Sequence, residues 1–263
     1  MSEKTLRICH LYPDLLNLYG DRGNLLCLRR RLEWRGIDAE VTGVTVGQKA
    51  DFTQFDLFFV GGGQDFEQEV LLSDLRAGKG GEIKAAIADG KTFLAICGGY
   101  QMLGQTLADP DGTESGRAQT LRGLGLLPTR TTFTARKRRA QVTAEATAAP
   151  FAGAALTGYE IHTGRTEVEG LPFCTQADGT PEGCVQDRVF GTYLHGLFDT
   201  GQLTEKLVAA LCARKGIAPD TAALMPMEQY RQQQFDLLAE GVRKALDMDA
   251  LYAAMGLARK EQL

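Results

Sequence analysis

The sequence predicts an α/β protein: a single doubly wound, mostly parallel sheet flanked by helices, with an antiparallel flank and C-terminal helices. Three observations predict it. As far as Ala108, apolar strand-like runs alternate with stretches whose apolar residues recur at helical spacing. Two of the strands, FDLFFV (55–60) and TFLAIC (92–97), are almost continuously apolar, as strands covered on both faces are. Each of these two runs stops at glycines, GGG after the first and GG after the second.

The elements follow in order. TLRICHLYP (5–13) is a short apolar strand closed by a proline turn. GDRGNLLCLRRRLEWRG (20–36) carries Leu25, Leu28 and Leu32 on one helical face, and Gly36 stops it. DAEVTGVTV (38–46) is the second strand and FDLFFVGGG the third. GGEIKAAIADGK is a helix closed by Gly90, TFLAIC the next strand, and GYQMLGQTLA the next helix. DPDGTESG (109–116) is a loop by composition. TFTARKRRAQVTAEAT, ALTGYEIHTGRTEVEG and CVQDRVFGTYLHG are β-rich with turns between them, and QLTEKLVAALCARKG (202–216) is a helix. From about Met225 the tail is helical. Residues 1–200 are expected to form the α/β domain and 201–263 a helical extension packed on it.

Composition narrows the function. The chain of 263 residues carries a net charge of −4 and so has no basic footprint for nucleic acid. The basic runs RRRLEWR and RKRR read as solvated faces. No stretch is long and apolar enough to enter a membrane, and the N-terminus lacks the apolar core of a signal peptide. The six cysteines are scattered without a CxxC pair, so no zinc or redox motif is indicated. Free thiols and a cytoplasmic setting are expected, with no metal and no cofactor.

In FLAICGGYQMLG (93–104), a buried strand ends on a cysteine and turns into a helix through Gly98 and Gly99. A strand that turns this sharply sets its last residue at the carboxyl edge of the sheet, where ligands bind in open α/β folds. It is the geometry of a nucleophile elbow, with Ala95 as the small residue two before the nucleophile. The helix N-terminus favours a thiolate and offers amides to a developing oxyanion. A buried structural cysteine fits this stretch equally well. FFVGGGQDFEQ lacks the pattern of a P-loop or dinucleotide fingerprint; it is either a tight turn or a second source of oxyanion donors. His195, in FGTYLHGLFD at the end of an apolar strand, is the best candidate base among three histidines; His10 and His162 suit structural roles. A cysteine and a histidine distant in sequence but close in space is the pattern of thiol acyl transfer.

The ordered set GGGQD, AICGGYQMLG, GYEIHTGRT and GTYLHGLFD resembles the class I, triad-type glutamine amidotransferases, in their cobyric acid synthase-like branch. The resemblance spans residues 6–200 and implies their flavodoxin-like fold. By position it makes Cys97 the nucleophile and His195 the base. It implies that Gln101 contacts bound L-glutamine, that Gly62 or Gly63 with Gly98 forms the oxyanion hole, and that Arg138 grips the glutamine α-carboxylate. One departure stands out. The family carries His-x-Glu, and here Leu197 occupies the glutamate position, an apolar side chain that cannot fix an imidazole tautomer. Asp199, Glu160 or a carboxylate lent by a partner is expected in its place, the partner being preferred, and a bare Cys–His dyad is the alternative.

HLYPDLLNLYGDRGN resembles a free-standing glutaminase subunit within that branch, with no synthetase region in front of it. The resemblance implies a heterodimer with a MurT-like, Mur-ligase-like, ATP-dependent synthetase. That partner takes ammonia and amidates D-glutamate of lipid II to D-isoglutamine in peptidoglycan synthesis. The docking candidates are YPDLLNLYGDRGN and the C-terminal helices. The alternatives are a glutaminase serving cobyrinate amidation and a thiol hydrolase on a similar fold.

Overall fold

The computed structural model describes residues 4–63, 67–220 and 224–257. In chain order it runs β1 (Thr5–Leu11), α1 (Arg22–Glu33), β2 (Asp38–Val44), β3 (Leu57–Val60) and α2 (Gln68–Asp74). A π-helical turn (Leu75–Lys79) joins α2 to α3 (Gly80–Ala88). Then come β4 (Thr92–Ile96), α4 (Gly98–Leu103), β5 (Thr106–Asp109) and β6 (Gln119–Arg122). The long strands β7 (Thr129–Ala146) and β8 (Ala155–Val168) follow, with β9 (Cys174–Gln176), β10 (Pro181–Glu182), β11 (Cys184–Gln186) and β12 (Val189–Thr192). Last are α5 (Gln202–Lys215), α6 (Met227–Ala245) and α7 (Met248–Ala254).

The first sheet has the order β11-β12-β4-β3-β1-β2. All its neighbours are parallel except β11, which runs antiparallel to β12. Every residue of β3 and β4 is buried, because helices cover both faces of the sheet centre. Phe52, Phe55, Phe58 and Phe93 pack ring against ring there, with centroids 5.7–6.3 Å apart along the cluster. Each buried ring of this kind is worth about 2–3 kcal/mol in area removed from water. The edge strand β2 is mostly exposed.

The antiparallel flank is a sheet of its own. Its order is β10-β9-β7-β5-β6, with β8 paired along β7. The β7–β8 pairing breaks register between Phe133 and Arg138, so Thr134–Lys137 bulge out opposite Thr163. The two sheets meet where Tyr159 of β8 and His195, just past β12, exchange backbone hydrogen bonds of 3.0 and 3.2 Å.

The chain divides into two compact units, Met1–Ala223 and Leu224–Leu263. This moves the boundary from the expected residue 200. Helix α5 lies in the first unit, where its Glu205 pairs with Arg31 of α1 (3.3 Å) and with Arg35 just beyond that helix. Helices α6 and α7 bury none of their residues. Among the described residues, no helix is long and apolar enough to cross a membrane.

The strand order decides where chemistry can occur. β1, β3, β4 and β12 lie side by side and parallel. Their carboxyl ends therefore release four segments at one edge: 12–21, 61–63, 97–98 and 193–195.

Candidate active site

Cys97 ends β4 with φ 51° and ψ −113°, a left-handed backbone that costs a non-glycine residue of the order of 1–3 kcal/mol. The surroundings hold it there. Its amide donates to Thr192 O (2.8 Å) at the end of β12, and the Gly99 amide donates to Gly61 O (3.1 Å). A Cβ on Gly99 would fall 2.6 Å from Val60 Cγ1, so only glycine lets α4 pack this close to β3. The Cys97 Sγ lies 3.9 Å from Ile161 O of β8.

His195 is fully buried beside Cys97. A methyl group placed on Gly62 would lie 2.8 Å from His195 Cε1 and 2.9 Å from Cys97 Cβ, so the two side chains flank one glycine. His195 Nδ1 donates to Asp21 Oδ1 (2.9 Å), and Asp21 Oδ2 accepts from the Gly62 amide (2.7 Å). Asp21 is itself 1 % exposed. It is the N-cap residue of α1, yet its carboxylate makes no capping bond to that helix. It spends both oxygens across the sheet edge instead. An ionised carboxylate only accepts, so Nδ1 carries the ring proton and Nε2 keeps its lone pair. Nε2 has no hydrogen-bond partner among the described residues. A thiol, a bare imidazole nitrogen and a carboxylate on the far side of the ring are the parts that a relay of nucleophilic acyl transfer needs.

A model of the CobB/CobQ-like glutamine amidotransferase domain matches residues 7–203. The chain belongs to that family. Subunit GatD of the glutamine-hydrolysing lipid II isoglutaminyl synthase of Staphylococcus aureus (strain N315) is 36% identical over 221 residues, 81% of this chain and 86% of that protein. A cobyric acid synthase of Citrobacter koseri is 44% identical over 179 residues, 63% of this chain; the match spans 35% of that longer protein. In fold, the chain is similar to PurLQS from Thermotoga maritima (TM-score 0.54, 18% identity), over 78% of this chain and 99% of that one.

In this amidotransferase the carboxylate on the imidazole comes from neither residue expected. Asp21 takes Nδ1. Glu160 is buried on the other side of β8, where it pairs with Arg138 and accepts from Gln176 Nε2 (2.7 Å). Asp199 lies on the turn beyond Gly196, with its amide on Gly196 O (3.0 Å). Nor does Nδ1 wait for a partner's carboxylate, since the chain supplies its own. The sequence carried one signal for Asp21: it follows the β1 strand, whose loop must emerge at the same edge as Cys97.

Three other expected residues sit differently. Gly62 gives its amide to Asp21, which leaves Gly63 and Gly98 as the oxyanion amides of the expected set; a Cβ on Gly98 would lie 3.5 Å from Gly63 N. Gln101 is buried under the elbow, its Oε1 accepting from Gln68 Nε2 (2.6 Å) and its Nε2 donating to Tyr193 Oη (3.2 Å). Each end of that amide has a contact within the scaffold, and through them Gln101 braces α4. Arg138 is already neutralised by Glu160 and donates to Gln176 Oε1 (3.2 Å), which removes the reason for placing it on a glutamine carboxylate. Gln64 and Asp65 of the GGGQD motif lie outside the described residues.

The other two histidines make different contacts. His10 packs edge-on against Phe59, and burial, helped by the nearby Arg22, lowers its pKa to about 4, so it is neutral. His162 stacks on Tyr193 (3.7 Å, 11°) with Nδ1 2.7 Å from Gly164 O.

Proposed function

We propose that this chain is the glutamine-hydrolysing subunit of a lipid II isoglutaminyl synthase, with Cys97, His195 and Asp21 as its catalytic relay. The observation that carries the relay is the Asp21–His195 Nδ1 hydrogen bond beside the strained Cys97, with Nε2 left to act. The similarity to GatD over most of both chains supports the choice of acceptor.

His195 Nε2 takes the Cys97 proton, and the sulfur attacks the side-chain amide carbon of glutamine. The carbonyl oxygen gains the negative charge and turns toward the amides of Gly63 and Gly98. Donors so placed are worth roughly 3 kcal/mol each in enzymes where they have been removed. As the tetrahedral carbon collapses, the C–N bond breaks and Nε2–H protonates the leaving nitrogen, releasing ammonia and a γ-glutamyl thioester. Nε2 then draws a proton from water. The hydroxide equivalent attacks the thioester, and glutamate leaves as the Cys97 sulfur is reprotonated. Through both halves Asp21 holds the tautomer and balances the imidazolium charge.

Ammonia passes to an ATP-dependent, Mur-ligase-like subunit that activates the D-glutamate carboxylate. The heterodimer works in the cytoplasm, which suits a chain in which none of the six cysteines is in a disulfide.

The test is glutamate release by the purified chain, alone and with a Mur-ligase-like synthetase subunit. Cys97→Ala is expected to lose at least about 1,000-fold in either setting. Turnover retained by Cys97→Ala overturns the nucleophile. Amide transfer to cobyrinate and not to lipid II overturns the acceptor.

A further inference from the structure

The GYEIHTG segment marked in the sequence supplies none of the relay, yet it lies against it. Tyr159 meets His195 at three levels. Their backbones form the antiparallel bridge that joins the two sheets. The Tyr159 ring stacks on the imidazole, with centroids 5.1 Å apart and planes 23° apart. Its hydroxyl donates to Tyr19 O (2.8 Å), in the segment that carries Asp21. The Tyr19 ring also contacts the imidazole (4.9 Å, 57°).

We propose that Tyr159 is a positioning residue for the base: its ring fixes the plane of the His195 imidazole. This rests on His195 being the base. A single hydrogen bond at Nδ1 restrains one point of the ring, and the ring can still swing about its Cβ–Cγ bond. A stacked neighbour removes that swing, because tilting would open a gap between the rings. The same face serves the charged form. His195 is fully buried, so its charged form is set apart from bulk solvent. Asp21 answers the charge in the ring plane, and an aromatic face answers it from above. Around the imidazole stand Asp21, Cys97, Tyr19 and Tyr159; Arg138 and Glu160 pair away from it. Burial raises the pKa of the Tyr159 hydroxyl, so it remains a donor to Tyr19 at working pH. Gly158 completes the fit: any side chain there would run into His195 O and lift Tyr159 off the ring.

The test compares Tyr159→Leu, Tyr159→Phe and His195→Ala in the purified chain. The readouts are kcat and KM for glutamate release and the rate at which iodoacetamide alkylates Cys97. Tyr159→Leu is expected to lower kcat about 10-fold or more with KM within about 2-fold, since a misplaced base acts on the chemical step. Alkylation of Cys97 slows with it. Tyr159→Phe keeps the stacked ring and recovers most of kcat. Equal loss in the Phe and Leu variants, or an unchanged kcat in the Leu variant while His195→Ala is inactive, overturns the proposal. Activity retained by His195→Ala overturns the reading beneath it instead. Thermal melts of all variants separate unfolding from mispositioning: if Tyr159→Leu lowers kcat only in step with its folded fraction, the proposal also fails.

Discussion

Asp21 stands on His195 Nδ1, where the resembled family is expected to place a glutamate two residues past the histidine, and it reaches that atom from 174 residues away. Removing its charge while keeping its shape separates orientation from packing. Asp21→Asn is expected to lower kcat by at least about 100-fold, because the amide either donates to Nδ1 and forces the proton onto Nε2 or leaves the tautomer unset. Glutamate release with melting temperature as a control checks this. Gly62 sets a different limit. Gly62→Ala places a methyl between Cys97 Cβ and His195 Cε1, both backed by buried core. Activity is expected to drop about 100-fold or more as the pair is pushed apart; an unchanged rate of Cys97 alkylation would contradict it. Cys97 and His195 could be singled out because in the sequence each closes an apolar run and is followed by a glycine. Asp21 was harder to single out, because DRGN reads locally as an ordinary helix cap and only its place after the first strand points to the site edge. The pairing of Arg138 was hidden for a related reason: a basic run shows charge, and only the neighbouring strand shows that Glu160 answers it.

Among the elements, β12 and the strands beside it hold the site still. Buried Glu182 of β10 accepts from Thr192 Oγ1 (2.6 Å) and the Tyr193 amide (2.6 Å), and Thr192 O in turn holds the Cys97 amide. Burial raises the Glu182 pKa to about 7 against the opposing pull of those donors, with nearby Glu160 adding to the rise. Between the ordinary glutamate range and pH 7 the folded chain therefore keeps a proton that the unfolded chain releases. That contribution to stability is whole below the ordinary range and is lost as pH rises through about 7. Urea midpoints at pH 5 and pH 8 are expected to differ between wild type and Glu182→Gln, with the wild type losing more on the way up, by as much as about 3 kcal/mol. Parallel pH responses would remove the carboxylate from this role. The parallel strands were readable from their unbroken apolar runs. The long β7–β8 pair was read as an extension of the same sheet, since alternation reveals a half-buried strand but not which sheet accepts its edge.

On the scale of the whole molecule, every residue assigned to the relay lies in Met1–Ala223, while α6 and α7 bury none of their side chains. A chain ended at Ala223 is expected to fold and to release glutamate within about 2-fold of the full chain, as an autonomous unit should; loss of the melting transition would show otherwise. The helical tail was legible from its periodicity, but no local pattern says where one compact unit stops. The distance between Asp21 and His195 has an outcome of its own. A ribosome makes the N-terminal loop and the elbow long before it reaches the last strand of the parallel sheet. Until then the nascent chain owns a sulfur and a carboxylate with no imidazole between them, and glutamine in the surrounding cell is safe from it. Hydrolysis switches on only once translation has passed residue 195 and the first and last strands have come together.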